Sequence, residues 1–480
     1  MKNDAAPERV HPTQDDPVVA ALSESVGGPV GSRAGRHAWW SPVRVLLVLT
    51  ALTFALGLVA KTPCVNTQFQ DTQQRYTHMC YSDMPYLYTW RGLADLNWPY
   101  TDDPAVRAEF EVMEYPAGIS YWAWGTGHVT WWLSGRPDVE AADRDLVQEG
   151  TLYFAVNALG FALVALLTTW LLAGVNRRRP WDAAGFALAP ALALTATVNW
   201  DLLAVVFVAG AAWAWARDRP LLTGAMIGVG TAVKLYPLFL LGAVLVLCLR
   251  TRRWRTLALT VAAAGAAWAV ANAPALLTGP DQWKVFWSFN SERAADLGSV
   301  WLVAQQMFDT WLDVETVNRG SWLFFILWCV GVLVLGWTAP VSPRFAQLGF
   351  LILVGFLVVN KVYSPQYVLW LLPLAVLARP RWCDLLIWQA GEAIYFAAVW
   401  WYLAEKLTPA GDGSPVFYWL AIALRIAAQL WLAAVVTRDV MWPEKDPVER
   451  PLGRPGEQAG EQPGDRPGER PSSVAEVTPL

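Results

Sequence analysis

Residues 221–255 read LLTGAMIGVGTAVKLYPLFLLGAVLVLCLRTRRWR, and they contain the pattern from which we infer the fold class. An apolar run is followed by a short break that begins at Lys234, by a second apolar run, and by a turn rich in arginine. As a helix, Leu221–Val233 would span roughly 20 Å, less than the roughly 30 Å of a membrane's hydrocarbon core. Such short helices need helical partners, a thinned bilayer or a protein-lined cavity at their outer ends. The pattern predicts a membrane-embedded helical bundle with a pocket that opens outward.

The same alternation of apolar runs and arginine turns extends over most of the 480 residues. The chain is 55% hydrophobic and only 16% charged, whereas a soluble domain carries about 25% charged residues. This composition excludes a soluble domain. The net charge is −4, with acidic residues in the tails and one long loop, and this pattern gives no support to nucleic-acid binding.

Twelve apolar segments are predicted to cross the plasma membrane. The first, Val43–Val59, follows several basic residues, which places the amino terminus in the cytoplasm by the positive-inside rule. The other predicted spans are Thr151–Gly174, Trp181–Val198, Leu202–Ala216, Leu221–Val233, Pro237–Leu249, Thr256–Ala273, Ser321–Thr338, Phe345–Val359, Tyr367–Ala378, Asp384–Leu403 and Phe417–Thr437. Both termini and most loop arginines then lie inside. The predicted fold class is an all-α polytopic membrane protein.

Residues Lys61–Gly150 are interpreted as one long external loop. This loop contains Tyr115–Leu133, an apolar segment rich in tryptophan and glycine. If that segment crossed the bilayer, Arg177–Arg179 would lie outside, against the positive-inside rule. We therefore expect it to lie in the interface or to re-enter part-way, with a full crossing as the alternative. A second large external loop is expected at Pro274–Gly320.

The two ends of the chain are predicted to be disordered cytoplasmic tails, at residues 1–41 and 439–480. Residues 454–471, RPGEQAGEQPGDRPGERP, show the composition most clearly. A segment with so few apolar residues cannot bury a core. The transmembrane domain is accordingly expected over residues 42–438.

Two of the five cysteines, Cys64 and Cys80, lie in the first external loop. We expect a disulfide between them, which requires an oxidising compartment. By the chain-entropy estimate such a bridge adds about 3 kcal/mol to stability. The remaining three, Cys248, Cys329 and Cys383, fall in or beside spans and are expected to serve packing.

Ionisable side chains at membrane depth are costly, which makes them candidates for function. In the predicted topology the following gather on the outer side: Asp83, Arg91, Glu114, Asp201, Lys234, Arg293, Asp296 and Lys361. Structural roles remain open for some of them. Asp83 would also serve as a helix cap or as a partner of Arg91. Glu114 would serve as a turn residue, and Arg293 as a solvated loop charge.

The chain has 30 tryptophans, most of which we expect to anchor helices at the membrane interface. Those in or near the external loops are also candidates for stacking on a sugar ring or a lipid chain: Trp90, Trp98, Trp122, Trp124, Trp283 and Trp287. His78 and His128 have no metal-ligand spacing around them, so packing or surface exposure is expected for both.

Cations beneath the outer leaflet suit a phosphate or diphosphate headgroup, which forms strong charge-assisted hydrogen bonds. A nearby carboxylate can act as a general base for a hydroxyl nucleophile. Sugar transfer from a lipid-phosphate donor needs both, because cations stabilise the charge on the leaving phosphate. A single base with direct attack inverts the anomeric centre. The sequence has no glycine-rich nucleotide loop and no zinc or serine-hydrolase motif, so ATP-driven, zinc-dependent and serine-hydrolase functions have no support.

Three motifs resemble glycosyltransferase family 87, the polyprenyl-phosphate-mannose-dependent enzymes of actinobacteria within the GT-C superfamily. They are YSDMPYLYTWRGL…PY…EYP between Tyr81 and Pro116, AVKLYPLFLL at residues 232–241, and KVYSPQYVLWLLPL at residues 361–374. In layout the resemblance covers most of residues 43–437. It implies a GT-C-like bundle of about twelve transmembrane helices, with interfacial helices in a long first external loop.

The resemblance implies that Asp83 is the catalytic base. This aspartate stands alone, without the paired acidic motif of some metal-dependent GT-C members, so we expect no metal and no other cofactor. The residues expected at the donor phosphate are Lys234, Lys361, Arg293, Tyr363 and Gln366. The residues expected at the sugar or acceptor are Arg91, Glu114, Tyr115, Asp201, Tyr236 and Ser364. The expected partners are the lipid bilayer, a polyprenyl-phosphate sugar and a glycan or glycolipid acceptor.

The predicted function is an inverting glycosyltransferase on the extracytoplasmic face. It would move mannose, or arabinose, from polyprenyl phosphate to a cell-envelope glycan, glycolipid or protein. Two alternatives stay open at this point: a transporter or flippase for lipid-linked sugars, and a non-catalytic scaffold for envelope assembly. A transporter should carry polar groups on both faces, and the sequence shows no internal repeat. No motif encodes the sugar, the acceptor, the linkage or the oligomeric state.

Overall fold

The computed structural model describes residues 9–26, 39–141, 143–407 and 414–449. Within these ranges the chain consists of α-helices, short 3-10 turns and loops, without a β-strand. The predicted all-α class is confirmed. Residues 450–480, most of the predicted carboxy-terminal tail, lie outside the described residues.

Two short helices precede the first long apolar helix. The bounds are Pro12–Asp15 for α1, Pro17–Val26 for α2 and Pro42–Val59 for α3. Helix α3 begins where the Ser41 hydroxyl accepts a hydrogen bond from the Arg44 amide and Pro42 occupies the first turn. Both features favour a helix start.

The long segment between α3 and α9 is here called the external segment, after its predicted location, and it carries a series of shorter helices. They are α4 (Thr62–Asn66), α5 (Gln74–Thr77), α6 (Met84–Trp90), α7 (Pro104–Glu109) and α8 (Ala117–Leu133). Helix α8 is fixed to the bundle, because Trp122 Nε1 donates to Asn157 at 2.9 Å and the backbone of Gly118 packs on Val233.

The remaining helices form the main bundle. They are α9 (Leu146–Val175), α10 (Ala184–Ala187), α11 (Pro190–Thr195), α12 (Leu202–Trp215), α13 (Pro220–Val233), α14 (Leu240–Thr251), α15 (Trp254–Thr278), α16 (Pro280–Glu292), α17 (Val300–Met307), α18 (Val314–Thr338), α19 (Phe345–Val359), α20 (Val368–Ala378), α21 (Trp382–Leu403) and α22 (Val416–Met441). Short 3-10 turns lie at Pro180–Ala183, Tyr236–Phe239, Pro365–Tyr367 and Pro443–Lys445.

Successive long helices run in alternating directions between two ends of the bundle. At the first, here called the cavity end, Asp83, Lys234 and Lys361 line a common cavity. At the second, here called the arginine end, Arg177 and Arg344 line a smaller cavity of about 440 Å³. Helices α12 and α20 begin at the cavity end, whereas α13 and α19 finish there. The turns between these helices therefore alternate between the two ends of the bundle.

Five of the described helices are long and apolar enough to cross a membrane, namely α3, α9, α15, α18 and α22. Others are apolar but shorter, such as α12 and α13 with 14 residues each. The prediction of a multi-pass membrane protein is confirmed. The number of twelve crossings stays a prediction.

Residues 181–198, predicted as one continuous span, are broken into short pieces. A 3-10 turn, α10 and α11 follow one another, and the chain is extended at Ala189, with φ −65° and ψ 123°. The residue before a proline is driven out of the helical region, and Pro190 follows directly. The prediction of a continuous helix is wrong here because of this proline.

Helices α13 and α15 pack very closely because α13 presents two glycines to its partner. A Cβ atom on Gly224 or Gly228 would lie 2.2 Å from the backbone oxygen of Thr260 or Ala264, respectively. Small residues four positions apart allow membrane helices to approach in this way. This contact fixes the position of α13, and Lys234 directly follows the end of that helix.

Described parts of both tails are folded onto the arginine end. Asp15 forms an ion pair with Arg179, and Asp446 forms one with Arg344 at 2.9 Å. The prediction of disorder is therefore wrong for residues 9–26 and 439–449. Their carboxylates are ordered by arginines of the turns, a pairing that composition alone does not reveal.

Candidate active site

A cavity of about 780 Å³ lies at the cavity end of the bundle. The external segment, the turn between α13 and α14, the loop before α17 and the turn between α19 and α20 enclose it. Most of the predicted site residues line it: Asp83, Arg91, Glu114, Tyr115, Lys234, Tyr236, Arg293, Lys361, Ser364 and Gln366. Groups expected to act on the acceptor and on the donor thus share one space.

Asp83 immediately precedes α6. Its amide donates to the Val198 carbonyl at 2.8 Å, which ties the start of this helix to the bundle. The Tyr115 hydroxyl donates to Asp83 Oδ2 at 3.2 Å. The Asp83 side chain makes no capping bond, and Arg91 pairs with Glu114 at 3.0 Å instead. Neither of the two structural roles considered for Asp83 is therefore observed.

Burial raises the pKa of Asp83 to about 6. Hydrogen bonds from Tyr81 and Tyr115 and the positive charge of Lys234 act in the opposite direction, while the negative charge of Asp201 adds to the rise. A carboxyl group with this pKa is mostly ionised at neutral pH. Because a general base works best when its pKa is near the working pH, Asp83 is suited to accept a proton.

Lys61 is a buried cation that sequence reasoning missed. Its Nζ donates to the Tyr81 carbonyl at 2.6 Å. Burial lowers the pKa of Lys61 to about 7, and the nearby Asp83 carboxylate opposes that shift. The only signal in the sequence is a single lysine directly after an apolar run. Lysines that extend toward the interface from a helix end give the same signal.

Lys234 forms an ion pair with Asp201 at 2.5 Å. Asp201 is fully buried and also accepts a hydrogen bond from Trp370 Nε1 at 3.1 Å. It does not line the cavity, which corrects the prediction that Asp201 contacts the sugar or acceptor. Its contacts assign it to holding Lys234. The Lys234 ammonium also lies 4.9 Å from the ring centroid of Tyr115, the residue bonded to Asp83.

Lys361 is a cation without a carboxylate partner among the described residues. Its Nζ donates to the Ser291 carbonyl at 3.1 Å and to Asn318 Oδ1 at 2.7 Å. An ammonium group carries three donors, so one remains for a ligand. Burial and the positive charge of Arg293 lower the pKa of Lys361.

Backbone hydrogen bonds hold the segments of these two cations side by side. The Asp296 amide donates to the Lys361 carbonyl at 2.8 Å, and the Tyr363 amide donates to the Leu297 carbonyl at 2.8 Å. Arg293 forms an ion pair with Asp296 at 2.6 Å, in which both side chains are partly exposed. Two adjacent positive groups facing a cavity suit a phosphate.

Tyr363, a predicted phosphate ligand, lies outside the cavity and fully buried. Its hydroxyl donates to Glu392 at 2.9 Å and accepts from Gln429 at 2.9 Å. The guanidinium of Arg425 lies 3.6 Å from its ring centroid. Tyr363 therefore anchors the turn between α19 and α20 in the core, whereas Gln366 of the same turn reaches the cavity.

Cys64 and Cys80 are joined by a disulfide, with their Cα atoms 5.7 Å apart. Both residues are buried. The bridge closes the chain between α4 and the residues just before α6 into a loop. It therefore restrains the backbone three residues before Asp83.

Among the residues that the structure describes, no group of three or more His, Cys, Asp or Glu side chains is placed to hold a metal ion. The ring of His128 is turned to its own helix, with Nδ1 3.1 Å from the Trp124 carbonyl. Transfer without a metal stays a prediction.

A sequence model of glycosyltransferase family 87 matches residues 144–359. The matched region covers 216 of the 480 residues of the chain. The family 87 region includes Lys234 and Arg293 and ends two residues before Lys361, while Asp83 lies in the preceding external segment. The match to this family and the long apolar helices support a coarse function, that of a membrane glycosyltransferase.

A similar solved structure is the crystal structure of ArnT from Cupriavidus metallidurans bound to undecaprenyl phosphate. The two chains are 14% identical, with 81% of this chain and 77% of that chain covered, at a TM-score of 0.39. No curated protein matches the chain.

Proposed function

We propose that this protein transfers a single sugar from a polyprenyl-phosphate donor to a hydroxyl of a glycan or glycolipid. The observation that supports this proposal is that Asp83, Lys361 and Arg293 line one cavity. Glycosyl transfer makes two demands, activation of a nucleophile and stabilisation of a leaving group. A carboxylate with a raised pKa meets the first demand, and a pair of adjacent cations meets the second.

In the proposed reaction, the acceptor oxygen attacks the anomeric carbon while Asp83 takes the hydroxyl proton. The bond between the anomeric carbon and the phosphate oxygen breaks, and polyprenyl phosphate leaves with the electron pair. Direct attack inverts the anomeric centre. Asp201 is engaged in the ion pair with Lys234, and Glu114 in the one with Arg91, so Asp83 is the carboxylate assigned to this proton.

The leaving phosphate gains negative charge as the bond breaks. The remaining ammonium donor of Lys361 and the guanidinium of Arg293 would stabilise this charge through charge-assisted hydrogen bonds. Lys234 contributes a positive charge near Asp83, although the fully buried Asp201 compensates most of it. The pair of Arg293 with Asp296 is partly exposed and uses one nitrogen of the guanidinium, which leaves further donors for a phosphate. We therefore assign direct phosphate binding to Lys361 and Arg293, and a supporting role to Lys234.

An apolar wall for the isoprenoid chain lies in the same cavity. It consists of Trp287, Phe289, Trp322, Phe325 and Phe356. Trp322 and its neighbour Leu323 are 55% and 61% exposed on α18, a helix apolar enough to cross the membrane. A lipid that entered between the helices would reach the cations along this wall. The wall supports a lipid-linked donor over a water-soluble nucleotide sugar.

The finer points follow from the motifs of the sequence. We propose mannose as the transferred sugar, with arabinose as the alternative, and an envelope glycan, glycolipid or protein as the acceptor. The distribution of arginines supports an extracytoplasmic cavity and cytoplasmic termini in the plasma membrane.

The test uses the purified full chain in lipid nanodiscs with polyprenyl-phosphate mannose or polyprenyl-phosphate arabinose and octyl α-mannoside as acceptor. A product that is heavier by one hexose or one pentose supports the proposal and identifies the sugar. Lys361→Gln should weaken donor binding about ten- to a hundredfold, since a hydrogen bond to a charged group is lost. Lys284→Gln is the matched control, because Lys284 is an exposed lysine of α16 outside the cavity.

A lipid-linked sugar that crosses vesicle membranes without any covalent product would contradict the proposal and favour a flippase. Unchanged donor affinity in Lys361→Gln would contradict the assignment of Lys361 to the donor phosphate.

A further inference from the structure

A second wall of the cavity is built from neighbouring aromatic rings, and of these only Tyr81 takes part in the proposed chemistry, through its hydrogen bond to Asp83. It consists of Tyr76, Tyr81, Tyr86, Trp90 and Trp400, here called the tyrosine wall. Centroids of neighbouring rings lie 5.2 to 6.0 Å apart. Four of these residues belong to the external segment, and Trp400 comes from α21.

The tyrosine wall leads from the catalytic carboxylate to the mouth of the cavity. Tyr81 is two residues from Asp83, and its ring centroid lies 5.7 Å from that of Tyr86. Tyr86 is followed by Trp90, at 5.6 Å between centroids. Trp90 is 60% exposed although it lines the cavity, so the row of rings ends at the surface.

The tyrosine wall is rigid. The Tyr86 hydroxyl donates to the Phe69 carbonyl at 2.6 Å, and the Lys61 ammonium holds the Tyr81 carbonyl. The disulfide fixes Cys80, which directly precedes Tyr81. A preformed surface binds a ligand without a further loss of conformational freedom.

Polar groups accompany these rings. The Arg75 guanidinium lies 4.8 Å from the ring centroid of Tyr76 and 5.2 Å from that of Tyr86. At the exposed end, Arg91 pairs with Glu111 at 3.1 Å and with Glu114 at 3.0 Å. Hydroxyl, guanidinium and carboxylate groups beside aromatic faces suit a ligand that is apolar on its faces and polar at its edges.

The apolar wall differs in chemistry and in position. It contains phenylalanine and tryptophan from α16, α18 and α19, without tyrosine. Among the ring contacts of the described residues, none joins a ring of the tyrosine wall to a ring of the apolar wall. The two walls therefore offer separate places for a hydrocarbon and for a carbohydrate.

We propose that the tyrosine wall binds an acceptor oligosaccharide of two or more sugar units. Sugar rings carry C–H groups on their faces, which pack on the negative faces of aromatic rings, and hydroxyls at their edges. The reacting hydroxyl lies at Asp83, and the following sugars extend over Tyr86 to Trp90. The inference rests on the proposed function and deepens it, because it makes the acceptor an oligosaccharide chain.

The test measures how the acceptor KM depends on probe length. The probes are octyl α-mannosides with one, two and three mannosyl units, with polyprenyl-phosphate mannose as donor. For the wild type, KM should fall as the probe lengthens. Trp90→Ala should raise the KM of the longest probe about three- to tenfold, in line with the loss of one aromatic contact. Its donor KM and its kcat should stay unchanged.

A second variant and a matched control complete the test. Trp400→Leu should also reduce the decrease in acceptor KM that longer probes bring. Trp401→Leu should not, because Trp401 is the next residue of α21, is 41% exposed and does not line the cavity. Thermal unfolding of each variant reports whether it is folded; Trp90 is exposed, so Trp90→Ala should unfold like the wild type.

Two outcomes would overturn the inference. In one, Trp90→Ala raises the donor KM and leaves the acceptor KM unchanged, which would place the lipid chain on these rings. In the other, the wild type transfers sugar but its acceptor KM does not fall as the probe lengthens. Both leave the proposed function standing. A wild type that transfers no sugar to any probe would contradict the proposed function itself, and this inference with it.

Discussion

The hydroxyl of Tyr115 donates a hydrogen bond to Oδ2 of Asp83 at 3.2 Å. The bond favours the charged carboxylate and so lowers its pKa, against the larger effect of burial. It also joins Tyr115, which lies two residues before the start of α8, to Asp83, which directly precedes α6. This contact thus contributes both to the position and to the basicity of the proposed catalytic group.

Sugar transfer by the wild type should fall as the pH drops through about 6. Asp83 accepts a proton only in its charged form, and burial raises its pKa to about 6. The carboxylate therefore prevails above this pH and the inactive acid prevails below it. The measurement is kcat/KM as a function of pH, with intrinsic fluorescence to show that the fold persists. A profile that stays flat on the acidic side of pH 6 would contradict the assignment.

Tyr115→Phe should move this acidic limb to higher pH. Loss of the hydrogen bond removes an interaction that lowers the pKa of Asp83, so a higher pH is needed to ionise the group. We expect a shift of up to about one pH unit. Tyr100→Phe is the control, because the Tyr100 hydroxyl binds Ser120, away from Asp83. If the acidic limb moved to lower pH instead, the hydrogen bond from Tyr115 would not lower the pKa of Asp83.

Asp201→Asn should destabilise the protein strongly. Asp201 is fully buried and the Lys234 side chain is 13% exposed, so the substitution leaves a buried ammonium without its counter-charge. Breaking a buried pair costs about 3–5 kcal/mol, whereas replacing both partners by apolar groups is often neutral. The double variant Lys234→Met/Asp201→Leu should therefore recover most of the stability without recovering transfer. Thermal unfolding in detergent measures this, and an Asp201→Asn variant as stable as the wild type would disprove it.

The double variant Cys64→Ser/Cys80→Ser should be less stable by about 3 kcal/mol, because the unfolded chain gains freedom. Transfer should decline as well, since the bridge restrains the backbone before Asp83. Cys383→Ser serves as the control, because Cys383 is a free and exposed cysteine. Equal unfolding temperatures for the double variant and the wild type would show that the bridge contributes no stability.

Much of the site could be anticipated because charges at membrane depth are costly. Lys234 and Lys361 each interrupt apolar runs on the side away from the arginine turns, whereas Asp83 lies in a polar stretch and is indicated by the family resemblance. Alternating helices necessarily bring such turns to the same end. Arg293 belongs to no motif and was suggested by its loop alone, yet it reaches the same cavity.

Side-chain direction could not be predicted in the same way. Tyr363 turns into the core because backbone bonds to the loop before α17 set the orientation of its turn. Lys61 and Trp400 contribute to the site from positions where the sequence shows only a helix end and an aromatic-rich span. The apolar run at residues 181–198 predicts one span, although it contains Pro190, which breaks the helix.

The central claim is a division of labour within one cavity, in which Asp83 removes a proton and the cations hold the donor phosphate. The most direct measurement compares donor binding and single-turnover transfer in Asp83→Asn with those of the wild type. Donor affinity should remain within about a factor of two, while transfer should fall about 10²- to 10⁴-fold, the usual contribution of a general base. Transfer by Asp83→Asn at the wild-type rate would contradict the claim.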